Sequence, residues 1–208
     1  MYIPHFNTID DQTEIRRMVE EIGSAEIVTV GPDGTPLATL LPILWSEDGS
    51  TVIAHMARAN DHWKHIAPAS RVLLIVAGPQ AYVSPAWYAS KAEHGRVVPT
   101  WNYTAVHLSG TVTVHDDPEW VRRAVTELTD RHEQPRAEPW AVTDAPEKYV
   151  AGQLKAIVGL HIAVERVEAK AKLSQNRSAD DLAGVIAGLN EEGDTREASL
   201  AALMKADS

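Results

Sequence analysis

From Ala25 onward, strand-length apolar segments follow one another at short spacing, separated by turns rather than by long amphipathic helices. A parallel sheet needs a crossover of a dozen or more residues between its strands, usually a helix. No βαβ alternation is present, so the segment order predicts an antiparallel barrel with helices at its periphery. "AEIVTV", "GPDGT" and "PLATLLPILW" read as a hairpin with Pro32-Asp33-Gly34 as its turn. "SEDGS" is a second turn, before the strand "TVIAHM". "RVLLIVAG", bounded by Pro68 and Gly78, suits a strand buried on both faces. "AYVSPAWYAS" begins as a strand and breaks at Ser84-Pro85, and "KAEHGR" reads as a loop. From Val97 a strand continues through "HLSGTVTVH", either unbroken or joined at Gly110, and "AIVGLHIAVERVEAKAKL" is the last strand segment.

Helices are expected around this frame. "DDQTEIRRMVEEIG" has Asp10 or Asp11 as cap, Ile15, Met18, Val19 and Ile22 on one face, and Gly23 as its end. "NDHWKHIA" is a short helix capped by Asn60 or Asp61. Asp117 caps "DPEWVRRAVTELTDRHE", with Pro118 in the first turn and Trp120, Val121, Val125 and Leu128 as the buried stripe. A Pro-rich connector leads to the short helix "EKYVAGQLK". Ser178 caps "SADDLAGVIAGLN", with Asp181 at a capping-box position. Residues 1–189 form the main domain in this reading, and residues 190–208 a helical tail, exposed or at an interface.

Composition narrows the function classes. With 19 Lys and Arg against 29 Asp and Glu, the net charge is −10. No basic run longer than a pair exists, so direct DNA binding is not expected. The absence of cysteine excludes disulfides, thiolate metal sites and thiol catalysis. No basic n-region opens the chain and no stretch of about 18 apolar residues is present, so a cytoplasmic protein without a membrane span is expected. GxGxxG and GxxxxGK[ST] are both missing, which removes the Rossmann and P-loop sites.

Four stretches carry candidate chemistry. "AHMARANDHWKH" supplies His55, Arg58, Asn60, His62, Lys64 and His65. A metal site would use His62 and His65, three apart, but there is no HExxH pattern. A phosphate site would use Arg58 and Asn60 ahead of a helix start and Lys64 one turn inside it. A solvated polar loop is the third reading. Ser84, Trp87 and Tyr88 lie beyond a strand end, as core or interface aromatics or as pocket walls. In "VPTWNYTAV", strand alternation puts Trp101 and Tyr103 on one face and Asn102 on the other, either as packing or as an aromatic-amide platform for a planar heterocycle. Gln175, Asn176 and Arg177 are three consecutive hydrogen-bonding side chains, a solvated turn or a clamp on a polar ligand.

"HMARAN" followed by Trp63, "GPQAYVSPAWY", "VPTWNYTAVHLSG" and "KLSQNRS" occur in that order after an "MYIPHF" start. In this the chain resembles the PaiB-type family of FMN-binding negative transcriptional regulators, from Met1 to about Leu189. One departure is Asp61, where related sequences commonly carry Pro. The resemblance implies a six-stranded antiparallel split barrel, related to that of pyridoxamine phosphate oxidase. It also implies a homodimer holding FMN at the subunit interface. The phosphate would then meet Arg58, Asn60 and Lys64 with His55 close by, and Trp101, Asn102 and Tyr103 would approach the ring or ribityl chain. Ser84, Trp87 and Tyr88 would close the pocket, and Gln175, Asn176 and Arg177 would reach across the interface. Three functions follow: a regulator acting through a protein partner, a flavin-dependent oxidoreductase, or a binder of another planar ligand such as haem. For the second, only His107 and Tyr103 are near candidates for acid-base work.

Overall fold

The computed structural model describes residues 1–193 and 195–206; Asp194, Asp207 and Ser208 of the expected tail lie outside the described residues. Six strands, β1 (Ser24–Val30), β2 (Pro36–Trp45), β3 (Thr51–Ala57), β4 (Ser70–Val83), β5 (Thr100–His115) and β6 (Ile157–Lys172), close into a barrel in the order β1-β2-β3-β6-β5-β4. Around them lie α1 (Gln12–Ile22), α2 (Ser90–His94), α3 (Pro118–Glu133), α4 (Glu147–Leu154), α5 (Ala179–Glu192) and α6 (Thr195–Ala206). The fold is mainly β with peripheral helices, the split barrel that the segment order and the resemblance predict. No helix among the described residues is long and apolar enough to cross a membrane. Two compact units make up the chain: Val19–Val76 with His107–Val167, and Met1–Met18 with Ala77–Val106 and Glu168–Ser208.

In the first unit, local turn chemistry sets the strand order. Val30 pairs with Pro36, Gly31 donates to the Thr35 carbonyl at 2.8 Å, and Gly34 takes φ 85°. The Asp33 carboxylate accepts from the amide (2.9 Å) and hydroxyl (3.0 Å) of Thr35. The next turn is built likewise: Asp48 accepts from the Ser46 hydroxyl at 2.7 Å and the Ser50 amide at 2.9 Å. Those bonds, Ser46 first, hold its carboxyl down to about 2. β3 runs antiparallel to β6 from Thr51 opposite Ala163 to Ala57 opposite Ile157. Val52, Ala54 and Met56 point inward and are buried, as are Ile27, Leu74, Leu108, Leu160 and Ile162. In α3, Asp117 accepts from the Trp120 amide at 2.8 Å, and Val121, Ala124 and Leu128 form the buried stripe; Val125 is only partly buried.

The structure corrects several local expectations. β4 is one strand of 14 residues rather than two segments, and burial alternates along it, so it is not covered on both faces. It passes through Gly78 because a Cβ there would overlap the Thr104 hydroxyl; the glycine lets the β5 side chain sit against the β4 backbone. β5 begins at Thr100, not Val97, and is continuous through Gly110, where a Cβ would collide with the Ala163 carbonyl. The "KAEHGR" segment is partly helical, since α2 runs Ser90–His94 and Gly95 ends it with φ 66°. Asp181 is not the second half of a capping box: Ser178 accepts from its amide at 3.3 Å, but its carboxylate goes to Ser90. In α6, expected to be exposed or at an interface, Leu200, Ala201 and Met204 are buried.

Candidate functional site

The expected site residues fall into one group in each unit. In the unit containing β3, they lie at the end of that strand and in the 3-10 turn Asp61–His65 that follows. Asn60 caps this turn: its Oδ1 accepts from the His62 amide at 3.0 Å, and its Nδ2 donates to the Thr39 hydroxyl at 3.2 Å. His62 is buried between two hydroxyls, with Nε2 2.8 Å from Thr29 Oγ1 and Nδ1 2.9 Å from Thr39 Oγ1. Burial, and then the charge of His65, pushes the His62 pKa down. The imidazole is therefore a neutral strut, one nitrogen donating and the other accepting.

Arg58 sits half-exposed at the same turn with its N–H groups committed. It makes a two-point ion pair with Asp116, Nη1 to Oδ2 at 3.1 Å and Nη2 to Oδ1. Its Nε donates to the Lys155 carbonyl at 2.9 Å, and Nη2 also to the Ile157 carbonyl at 3.1 Å. The Asp116 hydrogen bond raises the arginine's pKa and lowers its own carboxyl. Lys64 pairs with Asp61, the residue at which the chain departs from its resemblance, at 2.6 Å with both side chains exposed. His55, on the outer face of β3, lines an apolar cleft of about 260 Å³ with Trp140, Val142, Tyr149 and Val150. Its Nδ1 is buried with no partner among the described residues, and burial lowers its pKa.

In the other unit, β5 alternates as expected: Asn102 is fully buried while Trp101 is 46% exposed and Tyr103 lies between. Asn102 Nδ2 donates to the Ser174 hydroxyl at 2.9 Å, and its Oδ1 has no partner among the described residues. Trp101 Nε1 donates to Gln80 at 3.1 Å. Ser84 caps the 3-10 turn Pro85–Trp87 by accepting from the Ala86 amide at 3.2 Å. Trp87 lies against α5, where Gly184 and Gly188 leave room for its carbonyl and its ring. Tyr88 is buried, its hydroxyl has no partner among the described residues, and the Arg177 guanidinium lies 4.5 Å over its ring. Gln175 is spent on its own turn, accepting from Leu173 N at 2.8 Å and donating to the Ala171 carbonyl at 2.7 Å.

Asn102, Asn176 and Arg177 line one cleft of this unit, about 260 Å³, together with two residues the sequence reading passed over, Lys170 and Lys172. The signal was there to read. Lys170 and Lys172 are two apart on a strand and so share a face, and Arg177 follows in the next turn.

The closed six-stranded antiparallel barrel with peripheral helices is a split barrel, the fold to which the solved neighbours belong. A protein of Mycobacterium smegmatis that binds FAD and heme superposes with TM-score 0.61 at 20% identity, covering 85% of this chain and 79% of its own. A conserved hypothetical protein of Mycobacterium tuberculosis gives 0.59 at 14% identity, covering 86% and 94%. The chain belongs to the family described as "Putative FMN-binding domain", whose profile matches residues 1–166. It is similar to the "Protease synthase and sporulation protein PAI 2" of Bacillus subtilis, at 33% identity over 207 residues, which is 99% of this chain and 97% of that protein.

Proposed function

We propose that this chain binds FMN and acts as a homodimeric PaiB-type negative regulator of transcription, working through a protein partner. The observation that carries the flavin reading is the family match across residues 1–166, which includes the end of β3 from His55 and the turn through His65. The donor chemistry of that turn fits a phosphate monoester. Lys64 offers an ammonium whose partner, Asp61, is exposed. An exposed ion pair is worth only about 0–1 kcal/mol, so a phosphate dianion can take the lysine from it. Asn60 and His62 keep the turn in shape through Thr39 and Thr29, and Arg58 ties it to Asp116. Bound flavin would supply one- and two-electron redox chemistry; the protein supplies the charge and the fixed turn that hold it. The regulatory reading is supported by 33% identity over nearly the full length of a relative named for protease synthesis and sporulation. The net charge of −10 favours a protein partner over direct DNA contact.

A titration of the full chain with FMN, followed by flavin fluorescence, tests the cofactor. Saturable quenching is expected, and Lys64→Gln should weaken FMN binding by about tenfold while leaving riboflavin binding unchanged. A chain that leaves FMN fluorescence untouched at every concentration would end this reading.

A further inference from the structure

Lys170, Lys172 and Arg177 stand around one cleft in an acidic protein, and among the described residues no carboxylate lines that cleft. Among the described residues none of the three forms an ion pair. Lys170 is buried, 5% exposed, yet its Nζ meets only the Tyr2 carbonyl at 3.0 Å and the ring faces of Tyr103 and Tyr2 at 4.9 and 5.7 Å. Lys172 donates to the Thr100 hydroxyl and, at 2.6 Å, to the Trp101 carbonyl, both neutral acceptors. Arg177 rests on Tyr88, and the Asp181 carboxylate, already bonded to Ser90, feels its charge without pairing with it. Buried cations are ordinarily paired or bound to an anion, because an uncompensated charge is costly away from water.

The cleft floor adds independent signs. Asn102, fully buried, has an Oδ1 without a partner among the described residues. Ser174, which accepts from Asn102, holds φ 68°, the left-handed region that a non-glycine residue seldom takes. Such backbone strain gathers where a ligand is held.

We propose that this cleft is an oxyanion site, taking the phosphate or carboxylate group of a small organic molecule between Lys172 and Arg177. At roughly 30 Å³ per water, a space of about 260 Å³ holds more than a bare oxyanion. The remainder of the molecule meets Tyr2, Phe6 and Val98, which are exposed at the rim. The oxyanion has two possible sources, the phosphate of FMN itself or a separate organic acid. The proposal stands on the cleft's own residues and does not need the assignment of flavin phosphate to the Asp61–His65 turn.

The test follows the Lys172 side chain by NMR, its signal assigned by loss in Lys172→Gln, as inorganic phosphate is added to the full chain. The Lys172 signal should move and saturate. Arg177→Gln, whose guanidinium lies on the Tyr88 ring rather than in an ion pair, should raise the midpoint at least about tenfold. A Lys172 signal that does not move, that drifts without saturation, or that titrates identically in a folded Arg177→Gln protein overturns the proposal. Displacement of phosphate by FMN but not by riboflavin supports the cleft and identifies the source as flavin phosphate; simultaneous binding of FMN and phosphate supports it with a separate acid. Saturable phosphate with no FMN binding at all leaves this site standing and removes the flavin reading instead.

Discussion

The carboxylate of Asp181 accepts two hydrogen bonds from Ser90, one from its amide at 2.9 Å and one from its hydroxyl at 2.8 Å, across 91 residues of sequence. One residue of α5 thereby fixes the start of α2, a helix of only five residues that isolated helix propensity would not sustain. Asp181→Ala should lower the melting temperature and expose the segment 89–96 to protease, with the barrel strands still protected in hydrogen exchange. The Ser90 backbone hydrogen bond, ahead of its hydroxyl and Arg177, lowers the Asp181 pKa. Its contribution is thus present above the ordinary carboxylate value and is lost as pH falls through the lower, folded one. Asp181→Asn, compared with wild type at neutral and acid pH, should converge with it at the acid end.

His62 and His55 both ionise less readily in the fold than in the unfolded chain, mainly through burial. Below the ordinary histidine value of 6.5, unfolding takes up protons, so stability falls as pH drops from that point toward the folded values. The slope is at most about 1.4 kcal/mol per pH unit for each histidine. Urea unfolding across that range should show the slope, and His62→Asn should remove part of it while costing stability at neutral pH, where Thr29 and Thr39 lose their partner.

Gly184 and Gly188 invert the usual helix rule. Ala for Gly within a helix ordinarily gains about 1 kcal/mol. Here a Cβ at Gly184 would overlap the Trp87 carbonyl, and one at Gly188 would overlap its indole ring. Overpacking costs about 1–3 kcal/mol, so both substitutions should destabilise. Gly184→Ala should be the worse of the two, since a backbone carbonyl yields less than a side chain. Thermal melts of the two variants check the order.

Arg58 and Lys64 should separate in mutagenesis. Lys64 is exposed and pairs only with its neighbour Asp61, so Lys64→Gln should leave the melting temperature within a degree or two while weakening FMN. Arg58 holds Asp116 and two backbone carbonyls. Arg58→Ala should therefore lower the melting temperature first, and any effect on FMN should be largely recovered by measuring well below that temperature.

The local devices were legible because each is written within a few residues. Pro32-Asp33-Gly34 announces its hairpin, Asp117-Pro118 announces α3, and the alternation of Trp101, Asn102 and Tyr103 gives their faces directly. What escaped reading depends on partners far away in sequence. Gly78-Pro79 looks like punctuation, yet it serves the approach of Thr104. α2 exists through Asp181. The burial of Leu200, Ala201 and Met204 depends on what covers α6, which its own sequence does not state. In the candidate site the residue types of the turn after β3 were readable, but the commitment of Arg58 to Asp116 was not, and Lys170 and Lys172 passed for ordinary strand lysines.

The contact between Gly78 and Thr104 has a consequence for the strand two residues further back. With the β4 backbone pressed against the Thr104 side chain, a slip of β5 that brings Tyr103 to that notch would drive a far bulkier side chain into it. The glycine thus works as a pawl on the strand: with Thr104 seated there, Asn102 turns inward to Ser174 while the Tyr103 ring turns to Lys170.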